Sequence, residues 1–243
     1  MKRDAFFIGW SWRSARPLLW TLVVFVVVLA GAAAGLGLAL GSNVDDPGGG
    51  DFAGDRVVTG VLLARPYPIL VADPDAAHPA GHAMLLAGAG KIGVQEDAAR
   101  LDGRRVRIEG SALHRGTIDM QLVWRLQAID GAASVPVTHA LGTWRLTGEV
   151  CDGKCYSGLM RPGAGLAHKA CANVCLMGGV PPVLVTTAPV AGSEFLLIAD
   201  PDGNALPDAF RDHVAILQRM DGTVTQIADL LIFRTDIAAA RDP

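Results

Sequence analysis

Residues 59–71 read TGVLLARPYPILV, and residues 147–185 read TGEVCDGKCYSGLMRPGAGLAHKACANVCLMGGVPPVLV. Both stretches open on Thr-Gly. They close on related runs, Pro68-Ile69-Leu70-Val71 in one and Pro182-Val183-Leu184-Val185 in the other. The opening pairs are offset by 88 residues and the closing runs by 114. Further along, Met84-Leu85-Leu86 aligns with Leu196-Leu197-Ile198 at an offset of 112, and Val106-Arg107-Ile108 with Val214-Ala215-Ile216 at 108. The offset jumps once, by 26, and then stays nearly constant. The second half therefore reads as a copy of the first with an insertion after its first strand.

Within the first copy, short β-rich runs alternate with Gly, Pro and Asp turns. Val57 to Ala64, Ile69 to Ala72, Ala83 to Ala87, Arg105 to Ala112 and Thr117 to Val123 read as five strands, and Gln95 to Leu101 as a short helix before the fourth. Five strands with a helix in that place predict a small Greek-key barrel of the OB type. The expected fold class is mostly β, with two tandem OB-like barrels, the second carrying a Cys-containing loop–helix insert. One larger β-sandwich spanning both halves is the alternative.

Outward from this repeat lies a different kind of sequence. The chain has 243 residues, 51% of them hydrophobic and only 19% charged, with a mean hydropathy of +0.34. The excess is local: no charge occurs between Pro17 and Gly41, and Leu18 to Leu40 is an almost unbroken apolar run. At about 1.5 Å per residue such a helix spans roughly 30 Å of hydrocarbon. Lys2, Arg3, Arg13 and Arg16 precede or begin the run, and Asp45, Asp46, Asp51 and Asp55 follow it. The positive-inside rule then predicts a cytoplasmic amino terminus, with the remainder outside. Trp10, Trp12 and Trp20 suit the headgroup belt on the entry side. A cleaved signal peptide is the alternative, although its apolar core is usually shorter.

The expected organisation is a cytoplasmic segment 1–16, a transmembrane helix 17–41 and a tether 42–55. Domains 56–135 and 136–243 follow, with the insert at 151–180. Gly31/Gly35 and Gly37/Gly41 form two GxxxG patterns, which suit close helix packing in a bilayer or merely reflect membrane composition. Beyond residue 41 the chain holds 17 basic and 23 acidic residues, which argues against a nucleic-acid partner. Disorder, a polytopic channel and a collagen-like chain are excluded by the same composition.

All four cysteines fall in the insert, spaced C-x3-C-x12-H-x2-C-x3-C as Cys151, Cys155, His168, Cys171 and Cys175. His168 to Met177 has helical character, stopped by Gly178-Gly179. His168, Cys171 and Cys175 then share a helix face. Three readings stand open. Two disulfides fit an oxidising compartment and an even count, cross-paired between Cys151/Cys155 and Cys171/Cys175. A metal site on the four thiolates and His168 fits zinc, copper or an iron–sulfur cluster. Thiol–disulfide exchange fits Cys171 beside Lys169 and His168, but the usual C-x2-C is absent. His78 and His82 have ligand spacing but sit in a Pro/Gly/Ala loop, while His114, His139 and His213 read as solvated surface residues. No nucleophile elbow, HExxH, P-loop or dinucleotide fingerprint occurs, and no catalytic residue is predicted.

The segments GEVCDGKCYSGLMRPGAG and HKACANVCLMGGVPP, with GVLLARPYPIL and LDGRRVRIEG in the first half, resemble a group of bacterial membrane-anchored proteins without an assigned activity. The resemblance covers most of residues 56–237. It implies an architecture and no catalytic roles. Members of that group carry an acid or Ser where this chain has Gly153.

The expectation is a single-pass inner-membrane protein with periplasmic barrels. It would be a non-catalytic accessory or assembly subunit of an envelope complex, plausibly respiratory or redox, docked to other inner-membrane or periplasmic subunits. In that reading the insert is a disulfide-stapled docking element and no cofactor is needed. The rival readings are a metal- or cluster-bearing electron-transfer or metal-delivery protein, and a thiol–disulfide oxidoreductase.

Overall fold

The computed structural model describes residues 16–43, 51–160 and 162–243. The cytoplasmic segment, apart from Arg16, and the tether from Val44 to Gly50 lie outside the described residues. Among the described residues, the amino-terminal unit contains one helix, α1 (Arg16–Asn43). Its apolar length is enough to cross a membrane, which fits an anchor or a signal sequence equally. A Cβ at Gly31, Gly35 or Gly37 meets nothing within 4 Å, so these faces are open in the chain.

The second unit holds two closed five-stranded barrels. The first comprises β1 (Asp51–Leu63), β2 (Ile69–Ala72), β3 (His82–Ala87), β4 (Arg105–Arg115) and β5 (Ile118–Ala128), in the closed order β1-β2-β3-β5-β4. The second comprises β6 (Thr138–Asp152), β7 (Pro182–Val190), β8 (Ser193–Ala199), β9 (Leu217–Ile227) and β10 (Leu230–Thr235), in the equivalent order. In both, the third and fifth strands run parallel and the other pairs antiparallel. This is OB topology twice over. A short helix, α2 (Gln95–Arg100), precedes β4, and a 3-10 turn over Asp208–His213 takes its place before β9.

The internal repeat predicts the register itself. Leu62 pairs with Leu70 in the first barrel and Val150 with Leu184 in the second, reproducing the offsets of 88 and 114. Leu85 pairs with Met120, and Leu197 with Ile232, both at 112. One alignment is corrected: Val214-Ala215-Ile216 precedes β9, and Val106 corresponds to Gln218, opposite Gly148 as Val106 is opposite Gly60. The apolar triplet misled because Val214 seals the bottom of the barrel through a bridge to Val150, outside the ladder. A second difference concerns the tether: Asp51 and Phe52 already pair with His114 and Leu113, so β1 starts inside it.

Equivalent glycines stand where the strands coil most tightly. A Cβ at Gly60 would lie 2.1 Å from the Val71 carbonyl oxygen, and at Gly148 2.5 Å from that of Val185. At Gly110 and Gly222 the corresponding approaches to Leu122 and Arg234 are 1.7 and 2.3 Å. These are backbone atoms of a paired strand and cannot yield without opening the ladder.

Each barrel has its own interior, built on Leu62, Leu70, Leu86 and Ile108 in the first and on Leu184, Leu196, Val224 and Phe233 in the second. The alternate residues of the same strands point out of the barrels and meet each other. Ile69, Val71, Leu85 and Met120 pack with Val183, Phe195, Leu197 and Ile232 in a third cluster between the barrels. All four residues of β2 are consequently buried. The Leu206 amide donates to the Tyr67 hydroxyl (2.9 Å) across the same seam. At its rim the His82 ring lies between Asp119 of β5 and Asp229 of the β9–β10 turn, 2.5 Å from each.

The hydrogen bonds to Asp119, then to Asp229, raise His82 to a pKa of about 9. Burial pulls both carboxyls upward, but their bonds to His82, and His114 on Asp119, leave them below the usual range. A raised histidine stabilises the fold fully below its ordinary value of 6.5 and loses that contribution as pH climbs through about 9. Chemical unfolding followed between pH 6 and 10 should show stability falling through that window, and His82→Gln should flatten the fall. Separately, Gly60→Ala or Gly148→Ala should lower stability by roughly 1–3 kcal/mol or more, measured by denaturant midpoint.

Candidate metal centre

The insert occupies the connection between β6 and β7, which in the first barrel is only residues 64–68. In OB barrels this first loop is one of the regions that carry ligand sites. The insert consists of a wide turn over Cys155–Leu159, a Gly-rich loop and α3 (Lys169–Met177). Gly158 breaks the helical path of the turn at φ 145°, a conformation that only glycine takes without strain.

Asp152, the last residue of β6, organises the turn that follows. Its Oδ1 accepts from the Cys155 amide (2.7 Å), and its Oδ2 lies 3.0 Å from His168 Nε2 at the start of α3. Both partners of that carboxylate–imidazole pair are buried. One helical turn on, Cys171 Sγ joins Cys155 and His168, with all three donor atoms within 4.8 Å of one another. Cys175, one turn further, sits 4.0 Å from Cys155, sulfur to sulfur. Two donor triads thus share Cys155: one with His168 and Cys171, the other with Cys175 and the Asp152 carboxylate. The helix-face expectation for His168, Cys171 and Cys175 is met, and Cys155 faces all three across the cluster.

Cys151 does not join them. Its side chain points the other way along β6, as strand alternation requires, and its thiol donates to Glu149 (3.3 Å). Burial, then the Glu149 charge, raises its pKa well above the ordinary thiol value. All four cysteines are free thiols. A disulfide needs about 2.05 Å between sulfurs, so Cys155 and Cys175 are in contact without being bonded. Their contact splits the pair. Either sulfur can donate in this contact, and through it the Cys155 thiol is pushed up while the Cys175 thiol is drawn down.

Two cations flank the sulfurs, and neither stood out in the sequence. Lys154 is 1% exposed, yet its ammonium donates to the carbonyls of Gly88 (2.5 Å) and Gly90 (2.6 Å) in the first barrel. Burial lowers its pKa, against the opposing pull of Cys175, Cys155 and Asp152. Lys91, from the same first-barrel loop, donates to Cys171 Sγ at 2.8 Å. The only earlier signal was the proximity of Lys154 to Cys155; Lys91 lies 80 residues from its partner.

That loop also receives the end of α3. The Gly93 amide donates to the Gly178 carbonyl (2.8 Å), and the Gln95 side chain donates to that of Gly179. A Cβ at Gly178 would sit 1.9 Å from the Lys91 carbonyl oxygen, so the helix-stopping Gly178-Gly179 pair is also a docking surface. On the opposite side, the Arg115 guanidinium stacks 4.0 Å over the Tyr156 ring and donates to the Tyr156 carbonyl (3.0 Å). The insert is therefore clamped from both sides by the first barrel. Gly153 is closed in by Pro181, Leu85 and Met120, with 2.9–3.2 Å left for a Cβ, so a larger residue has no room at this position.

The remaining histidines divide. His139 is exposed, and His213 bonds to Gln218 (2.9 Å). His82 and His114, expected as loop and surface residues, instead pair with carboxylates at the seam. Replacing Lys154 by Met should leave the Gly88 and Gly90 carbonyls unpaired, costing about 1–3 kcal/mol. Faster amide exchange should follow across residues 153–160 and 88–92, measured by hydrogen–deuterium exchange. Comparison of the chain with family models, with curated proteins and with solved structures gives no match, so its chemistry is read from these donors alone.

Proposed function

We propose that this protein is a membrane-anchored accessory subunit of the bacterial envelope whose insert holds a soft metal ion on Cys155, His168, Cys171 and Cys175. In this reading α1 stays in the inner membrane with its amino terminus in the cytoplasm, and both barrels stand in the periplasm. The observation that carries the reading is a pair of donor triads sharing Cys155, one with His168 and Cys171 and the other with Cys175 and Asp152. Tetrahedral zinc, with Zn–S bonds of about 2.3 Å, sets its thiolates about 3.8 Å apart, close to the 4.0 Å between Cys155 and Cys175. Cu(I) suits the same sulfur-rich set. A cluster of several irons needs its thiolates spread further.

The surroundings fit an ion as well. A metal-bound histidine usually gives its second ring nitrogen to a carboxylate, which fixes its orientation, and Asp152 is placed to do so for His168. Three thiolates and a divalent ion leave one negative charge, and Lys91 and Lys154 stand beside it. Cys171 is the one ligand only half-buried. It gives the ion a route in or out, as metal delivery requires.

The full-length protein, purified in detergent without oxygen, is the sample for the test. Metal analysis should give an equivalent of zinc or copper that is lost when Cys155 and Cys171 are both replaced by Ser, and mass spectrometry without reduction should give no Cys155–Cys175 disulfide. His168→Ala should weaken binding about 10- to 100-fold, and Cys151→Ser should leave it unchanged. A stoichiometric Cys155–Cys175 disulfide with no metal would replace this reading by the stapled docking element.

A further inference from the structure

The two barrels also bring together a second donor set, remote in type and place from the cysteines. His78 lies in the β2–β3 loop, His82 begins β3, and Asp229 lies in the β9–β10 turn of the other barrel. One donor atom from each falls within 4.8 Å of the other two. The rings of His78 and His82 are stacked, with centroids 4.5 Å apart. A cavity of about 440 Å³ opens beside them, lined also by His114, Ser193 and Gln226.

The details match what a metal-binding histidine needs more closely than what a plain ion pair needs. Asp229 holds its Oδ1 on the Ala83 amide (2.7 Å), which leaves Oδ2 directed at His82 Nδ1 (2.5 Å). The opposite ring nitrogen of His82 rests on Asp119 Oδ2 (2.5 Å), and the other oxygen of Asp119 pairs with His114. His78 has its own carboxylate, with Asp75 Oδ1 3.3 Å from its Nδ1. Both imidazoles are thus oriented from behind by carboxylates, the arrangement that supports metal-bound histidine. Asp119 is 15% exposed at its side chain, whereas the Asp229 side chain on the donor side is 42% exposed and reachable from the cavity.

We propose that His78, His82 and Asp229 form a second metal site, one that takes a borderline divalent ion such as zinc and ties the two barrels together at their rim. Two nitrogens and one carboxylate oxygen leave at least one coordination position open to water or a small anion from the cavity. The ion takes the place of the proton between His82 Nδ1 and Asp229 Oδ2. Asp119 and His114 are positioning residues that never touch it. This site is independent of the cysteine centre and stands whether or not that centre holds metal.

Cobalt(II) distinguishes the two sites, because only thiolate ligation produces an intense sulfur-to-metal charge-transfer band. Full-length protein carrying Cys155→Ser and Cys175→Ser, in detergent, is titrated with Co(II) and then competed with Zn(II). One equivalent should bind with weak visible bands and no charge-transfer band. His78→Gln, an exposed loop change that leaves the seam packing intact, should weaken binding at least 10-fold, as should Asp229→Asn. Asp119→Asn should weaken it by about 10- to 100-fold. In the wild-type cysteine background, zinc should raise the unfolding temperature, and His78→Gln should reduce that rise. Absence of cobalt binding in the double cysteine variant overturns the proposal, and so does binding unaffected by both His78→Gln and Asp229→Asn. Failure of the cysteine centre shows separately, as the absence of a sulfur-to-metal charge-transfer band when the wild-type protein takes up Co(II).

Discussion

Everything in the second unit depends on the contact between the outer faces of the two barrels. A five-stranded barrel fills its interior with half the residues of each strand and leaves the other half for solvent or a ligand. Here β2, β3 and β5 present Ile69, Val71, Leu85 and Met120 outward, and β7, β8 and β10 present Val183, Phe195, Leu197 and Ile232 to meet them. Burying each large apolar side chain contributes on the order of 1.5–3 kcal/mol before entropy is subtracted. The packed seam therefore rivals either barrel interior as a source of stability. It also has a functional consequence. The face made by the second and third strands is the surface on which OB barrels ordinarily receive oligonucleotides or sugars. In this chain both such faces are covered by the other barrel.

With that face closed, ligands are left to the loops at the barrel ends, and the first loop is where the two copies differ most. One copy keeps it short, at residues 64–68, and the other expands it into the insert. The expansion then borrows from its neighbour: Lys91, Gly93 and Gln95 of the first barrel touch α3, and Lys154 reaches the Gly88 and Gly90 carbonyls. The cysteine cluster is consequently a property of the docked pair. A second barrel on its own would expose Lys154 and leave Gly178-Gly179 with nothing to rest on.

Much of this was legible in the chain because repeats encode register. The single jump in offset placed the insert correctly, and the offsets of 88 and 114 recur between the Leu62–Leu70 pair of one barrel and the Val150–Leu184 pair of the other. The apolar run Ile69-Leu70-Val71-Ala72 carried a further signal, since a strand without alternation is buried on both faces. The sequence does not say against what. What escaped detection shares one cause, distance along the chain. Lys91 meets Cys171 across 80 residues, and His82 meets Asp229 across 147. Local reading placed His82 in a loop because Pro79 and Gly81 precede it, while its partners are supplied by two other strands' ends. Cys151 misled for the opposite reason: its place in the spacing pattern grouped it with the other three cysteines, but on the strand it shares a face with Glu149 and bonds there.

The seam and the insert also limit each other through charge. Asp152, Lys154 and the three cluster thiols sit where little water reaches, so their formal charges must nearly cancel for the fold to tolerate them. With thiols protonated, Asp152 and Lys154 balance and the site is neutral. With three thiolates, the balance requires either more cations than Lys154 and Lys91 supply or a metal ion. The sulfurs are held at 4.0 Å by α3 and the β6 turn, too far for an S–S bond and close to a single ion's coordination span. Lys91, Gly93 and Gln95 hold the end of α3 where its sulfurs face Cys155, so it is the first barrel, through the seam, that sets the spacing from which a metal site or a disulfide would form.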